Sequence, residues 1–191
     1  LVIGNANSGN INVLFPVTRP SSTDVQLISG GDVLISGDGF NTGGGTMSLS
    51  SVAVKPTFNG TDITASTLSL VSDLSIALNG TTLGDGTGST YSQLKVAGSV
   101  NLTGVDLLLT GSYIPIGNET FTIFDNDGTE NIVGTFTGLS EGATIPNFRG
   151  SGLNATISYM GGAGNNDVVI TVQCLAPASP TVGTITQPTC A

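Results

Sequence analysis

Histidine and tryptophan are absent from this chain, and lysine and arginine together number four. Without histidine, the commonest general base and a leading zinc ligand are both missing. Thirteen acidic residues leave a net charge of −9, which repels phosphate backbones, and no Lys/Arg cluster neutralises them locally, so nucleic-acid binding is not expected. Charged residues make up 9% of the chain, against roughly 25% in ordinary globular proteins, which leaves little from which to build solvated helix faces. No apolar run approaches the roughly 18 residues of a membrane helix. The nearest, "VDLLLTGSYIPIG", is interrupted by polar residues, proline and glycine, and membrane insertion is not expected. A charged-then-apolar leader is also missing; the chain opens mid-pattern on "LVIGNANSG" and reads as a mature piece of something larger.

Cysteine is confined to Cys174 and Cys190, sixteen positions apart. A disulfide between them would close an easy loop and contribute about 3 kcal/mol on the loop-entropy view. Pairing of one or both with residues outside this sequence is the alternative, and either suits an oxidising, extracellular compartment. A metal pair lacks further ligands, since there is no histidine and no third cysteine.

What is abundant is strand and turn chemistry. Val, Ile and Thr alternate with Gly, Asn and Asp, and glycine alone occurs 28 times, so the chain is expected to be all-β. Aligning "DVQLISGGDVLISGDG", "TMSLSSVAVKP", "STLSLVSDLSIALNG" and "YSQLKVAGSVNLTG" brings Leu27, Leu49, Leu70 and Leu94 into one column at spacings of 22, 21 and 24. A second column holds Val13, Ile35, Val54, Ile76 and Leu102. One unit of about 22 residues cannot bury its own inward side chains, whereas stacking units at ~4.8 Å makes each column a continuous apolar ladder. These returns favour a parallel β-helix, a β-solenoid with a right-handed prior, over an antiparallel sandwich. Residues 1–104 are read as its coils. The rhythm changes after about residue 105, where aromatics gather, and 105–173 is expected to form the final coils and a C-terminal β cap. Residues 174–191, rich in Pro and Thr, are expected to form an extended linker.

"DVQLISGGDVLISGDGFNTGGGTMSLSS" resembles the coils of haemagglutinin-like and autotransporter-type β-helical surface proteins. "YSQLKVAGSVNLTGVDLLLTGSYIPIGNETFTIFDNDGTENIVGTFTGL" followed by "ATISYMGGAGNNDVVITV" looks like the end segment of autotransporter-associated β-strand repeat proteins, and the similarity covers nearly all of residues 1–173. The closing "PASPTVGTITQPTC" resembles the start of Ig-like modules in large type IX-secreted adhesins of gliding Bacteroidota. The resemblance implies a bacterial cell-surface adhesin or stalk module followed by an Ig-like one. No outer-membrane barrel follows in this sequence, so self-transport is not implied.

Three places invite a chemical reading. Asp125, Asp127 and Glu130 crowd around Gly128, but glycine stands fourth in an EF-hand count and Phe136 occupies the twelfth place, so that pattern fails. A calcium site of another kind is the functional alternative to a strand-to-strand corner. "GDGTGS" around Asp85 and "GAGNNDVV" around Asp167 are read as turns for the same reason, the latter being a single copy of a pattern that binds calcium only in stacks. Asp32, Ser51 and Asp73 precede the second strand of successive coils, which places Asp32 and Asp73 two coils apart, roughly 10 Å; a carboxylate pair of this kind is the basis for a glycan-cleaving alternative. Tyr91, Tyr113, Tyr159, Phe40 and Phe58 are candidates for stacking on sugars, but aromatics in a cap more often belong to its core; Phe40, on a glycine-rich turn, is the one expected to be exposed. Asn59, Asn79, Asn101, Asn118 and Asn154 begin N-x-T triplets that turn use explains. A T-x-T ladder of the ice-binding kind is not expected, since "TFT" occurs only at 120–122 and 135–137.

No catalytic, cofactor-binding or metal residue is assigned. The expected role is a non-catalytic structural or adhesive module of a large secreted surface protein, with no cofactor unless calcium binds. Its expected partners are surface glycans or host and substratum surfaces, together with neighbouring modules of its own polypeptide. A glycan-binding module and a polysaccharide-degrading enzyme are the alternatives.

Overall fold

The computed structural model describes residues 1–35, 39–56 and 63–174. Among them it contains strands and a single 3-10 turn, with no α-helix. The strands in chain order are β1 (Val2–Asn5), β2 (Ile11–Val13), β3 (Val17–Thr18), β4 (Val25–Ser29), β5 (Val33–Ile35), β6 (Phe40–Asn41), β7 (Thr46–Ser50), β8 (Ala53–Pro56), β9 (Ile63–Leu70) and β10 (Asp73–Ala77). They continue as β11 (Thr82–Leu83), β12 (Thr90–Tyr91), β13 (Leu94–Asn101), β14 (Leu107–Thr110), β15 (Thr120–Asn126), β16 (Ile132–Val133), β17 (Thr144–Ile145), β18 (Ala155–Gly161) and β19 (Asp167–Val172).

Two long sheets organise them. In the first, β1, β4, β7, β9, β13 and β15 lie side by side and parallel; in the second, β2, β5, β8, β10 and β14 do the same. Each strand therefore pairs with its counterpart one repeat later. Alternation within a strand decides which side chains are enclosed: Val25, Leu27 and Ser29 of β4 are buried while Gln26 and Ile28 are half-exposed. Val33 and Ile35 of β5 point inward in the same way. The enclosed positions of both sheets merge into one apolar core from Val13 to Val172. Each fully buried Val, Leu or Ile in it contributes roughly 1.5–3 kcal/mol relative to exposure.

The first leucine column forms as expected through Leu27, Leu49 and Leu70, but Leu94 is not its next member. Leu68 pairs with Val100 and Ser69 with Asn101, which puts Leu102 beside Leu70, while Leu94 pairs with Phe124. The second column keeps Val13 with Ile35, then slips by two: Val33 faces Val54, Ile35 faces Pro56, and Ile76 faces Leu109 rather than Leu102. A two-residue slip leaves every side chain on its original face, so apolar alternation alone does not distinguish these registers. Strand fusion is the other cause. β6 and β7, separated by the Gly43-Gly44-Gly45 corner, both pair with the single eight-residue strand β9. β13 is equally long, with a register shift between Ala97 and Ser99.

Pairing turns antiparallel after β15, through β19, β18 and β17. Phe121 sits at the junction, wholly buried, with ring centroids 5.3 Å from Tyr91, 6.2 Å from Tyr113 and 6.4 Å from Phe148. Phe148 belongs to the 3-10 turn Phe148–Gly150, whose Arg149 reaches back to the end of β14. There the guanidinium donates from Nη1 to Leu109 O at 2.7 Å and from Nη2 to Gly111 O, occupying carbonyls near the sheet's edge. Leu14 and Phe15 are largely exposed, Phe15 to 78%, beside an apolar groove of about 350 Å³ that reaches in to Leu27 and Phe40.

Candidate functional site

The acidic corner at Asp125 is occupied by protein. Asp125 lies in β15 directly across from Lys95 of β13, and Lys95 Nζ stands 3.5 Å from Asp125 Oδ2 and 3.7 Å from Asp127 Oδ2. The Asp127 amide donates to Val96 O at 2.8 Å, and Glu130 Oε2 accepts the Thr129 amide at 3.0 Å. Two buried asparagines that sequence reasoning passed over hold the loop: Asn126 Nδ2 donates to Glu130 O at 2.7 Å, and Asn166 Nδ2 to Gly128 O at 2.8 Å. A dense run of Asn and Asp signals turns in general, and it does not say which of them face inward. Among the described residues no group of three or more His, Cys, Asp or Glu side chains is placed to hold a metal ion.

Asp167 closes the corner, its Oδ1 accepting the Asn126 amide at 3.0 Å. Burial pushes its carboxyl above the usual range and the neighbouring Asp125 and Asp127 charges add to this, while the Asn126 bond and Lys95 oppose it. Such a group adds stability while protonated and loses it as pH rises through its folded-state value. Asp167→Asn keeps the acceptor and carries no charge. It is expected to raise the thermal midpoint at pH 7 by roughly 2 °C and to lose that advantage below about pH 4, as read from melting curves at both pH values.

Other singled-out residues serve the fold. Asp85 Oδ1 accepts the Thr87 amide at 2.9 Å and its hydroxyl at 2.7 Å, bonds that hold the Asp85 carboxyl below its usual range, the hydroxyl bond most strongly. Phe40, expected on an exposed turn, is buried, because it stacks between Val17 and Ile63 in a third inward column. Tyr91 and Tyr159 are also buried. Tyr159 donates its hydroxyl to Leu139 O at 2.6 Å and accepts the Phe136 amide at 2.9 Å, and burial pushes its pKa up to about 12. Asn79 Oδ1 accepts the Ser112 amide at 2.8 Å, Asn101 Oδ1 that of Thr103 at 3.0 Å and Asn154 Oδ1 that of Asn147 at 3.2 Å, each a turn role. Phe58, Asn59 and Cys190 lie outside the described residues; Cys174 is exposed.

The structure places Asp32 and Asp73 on one line across the second sheet. Asp73 pairs with Ala53, and Asp32 precedes Val33, the partner of Val54, so Ala53 rather than Ser51 lies between the two carboxylates. Asp32 is engaged by Lys55, with Nζ 2.6 Å from Oδ2. The line continues to Asp106, missed from the sequence, which precedes the Leu107 partner of Leu74. The signal was present in "DVLI", "DLSI" and "DLLL", an aspartate opening β10 and immediately preceding β5 and β14.

Beside Asp73 the outer surface carries an array that an identical T-x-T search does not detect. Thr46, Thr67 and Ser99 form one outward row across β7, β9 and β13, and Ser48, Ser69 and Asn101 form the next. The second row runs into a cleft of about 440 Å³ at the corner between the sheets, lined by Ser51, Val52, Ser69, Val71, Ser72, Asp73, Asn101 and Thr103 among others. Its floor is hydrogen-bonded: Ser72 Oγ accepts the Ser51 amide at 2.6 Å and donates to Leu49 O at 3.0 Å. No family model, curated protein or solved structure matches the chain.

Proposed function

We propose that the chain is a right-handed β-solenoid segment serving as a non-catalytic structural or adhesive module of a large secreted bacterial surface protein. The observation that carries this reading is the parallel pairing of each strand with its counterpart one repeat later, in both long sheets at once. Stacking of that kind generates length without enlarging the cross-section, and gives a scaffold whose backbone groups are mutually satisfied. In this reading residues 1–104 are coils, 105–173 hold the last coils and the cap, and 174–191 lead into a neighbouring module. The exposed apolar edge at Leu14 and Phe15 is then a face for contact with another module.

A resident enzyme is the weaker reading, because the one carboxylate pair foreseen for it has Asp32 neutralised by Lys55. The resemblance of the repeats to haemagglutinin-like surface proteins supports the adhesive role, and a cell-surface location follows from it. Beads coated with the full chain are expected to be retained on polysaccharide- or matrix-coated surfaces under flow, and proteinase K is expected to leave a core fragment intact for hours. Rapid digestion to small peptides would overturn the scaffold. Release of new reducing ends from polysaccharides would replace it with the enzyme.

A further inference from the structure

We infer that the cleft at the corner between the two long sheets is a binding site for an uncharged polysaccharide chain, an assignment that rests on the surface-module reading and gives it a ligand class. The argument begins with an inventory of carboxylates. Among the described residues Asp24, Asp32, Asp85, Glu119, Asp125, Asp127, Glu130, Glu141 and Asp167 each have a hydrogen-bond or ionic partner. The side chains of Asp73 and Asp106 have none, and they are neighbours across β10 and β14. Asp73 lines the cleft, so its acceptor oxygens are available there.

Three further polar groups meet it with capacity to spare. The hydroxyls of Ser69 and Thr103 and the Nδ2 of Asn101 have no hydrogen-bond partner among the described residues, Asn101 using only its Oδ1. Between them stand Val52 and Val71, 60% and 65% exposed, on the successive corners that the serine floor holds in place. The cleft thus combines donors, acceptors and a carboxylate with two aliphatic patches. Sugars present the same combination, hydroxyls around the rim of a ring and C–H groups on its faces.

Charge selects within the class. No lysine or arginine lines the cleft, Asp73 supplies a negative charge with Asp106 next to it, and the chain as a whole carries −9, so uronate- or sulfate-bearing polymers are disfavoured. A volume of about 440 Å³ lies within the ordinary range for a small-ligand site. The floor's mutual hydrogen bonds hold the lining in place before any ligand arrives, which reduces the entropy lost on binding.

Calorimetry of the full chain with cellohexaose, xylohexaose, mannohexaose, maltohexaose and hexagalacturonate tests the assignment. At least one uncharged hexasaccharide is expected to bind with a Kd of about 1 mM or tighter, and hexagalacturonate at least tenfold more weakly. Asp73→Ala and Asn101→Ala are each expected to weaken that binding about tenfold, the scale of one charge-assisted or two ordinary hydrogen bonds. Thr103→Ala, at an exposed position that the fold does not need, provides a variant whose thermal midpoint stays unchanged while affinity falls. No binding by the native chain, equal binding by all three variants, or preference for hexagalacturonate overturns the site. A protease-resistant chain that binds nothing removes the ligand and leaves the scaffold; a chain that binds but is rapidly digested does the reverse.

Discussion

Gly98→Ala is expected to destabilise the chain by about 3 kcal/mol or more, a large share of the 5–15 kcal/mol that holds an ordinary domain together. Gly98 sits inside β13 at φ +140°, in the register shift between Ala97 and Ser99. A Cβ built there would lie 1.7 Å from the Ala65 carbonyl oxygen on the neighbouring strand. That oxygen is backbone in the middle of a sheet, so it cannot swing aside as a side chain would. The only escape is to part β9 from β13 in the centre of the larger sheet. Gly88→Ala is the natural control: its φ is +57°, and nothing lies within 4 Å of the added carbon, so about 1–2 kcal/mol of backbone strain is the whole cost. Urea titration of both variants gives the comparison. Equal midpoints would mean that β9 and β13 do not approach as described.

Phe121→Ala is expected to cost about 3–5 kcal/mol and to loosen the antiparallel end before the parallel sheets. The ring is fully buried and touches aromatic partners from three separate segments, Tyr91, Tyr113 and Phe148. Its removal leaves a cavity that side chains anchored on different strands cannot refill together. Loss of the edge-to-face pairs with Tyr91 and Tyr113 adds roughly 0.5–1.5 kcal/mol each beyond area burial. With no tryptophan in the chain, near-ultraviolet circular dichroism reports these tyrosines directly, and the signal is expected to collapse at lower urea than the far-ultraviolet strand band. A loss below about 1 kcal/mol, with both signals melting together, would mean that Phe121 does not join the two regions.

The candidate cleft shows why a site can escape a sequence search even when its residues are plain to see. Asp73 was singled out, but alongside Asp32, which proves to be paired with Lys55. Its neighbour across the strands is Asp106, which stands 33 positions later because the loop carrying β11 and β12 intervenes. Ser69 and Asn101 come together for the same reason: β13 follows β9 in space after a longer excursion than the 21 or 22 residues of the preceding repeats. A fixed period read along the chain cannot anticipate an insertion between adjacent strands. Phe40 taught the converse, since a glycine-rich neighbourhood suggested exposure and the Val17–Phe40–Ile63 stack buried it.

Alternation of apolar and small polar residues, glycine at corners and scarcity of charge were enough by themselves to determine that the described residues are all-β and that Leu27, Leu49 and Leu70 stand in line. Only the tertiary structure decided which strand continues that line, where the register slips by two, and which carboxylates among the described residues have no partner. The reason is that strand periodicity is two: it separates inside from outside, yet it is blind to a shift of two residues. Corner length, strand fusion at β9 and the close approach at Gly98 select among registers that alternation leaves equivalent, and with them the neighbours of Asp73.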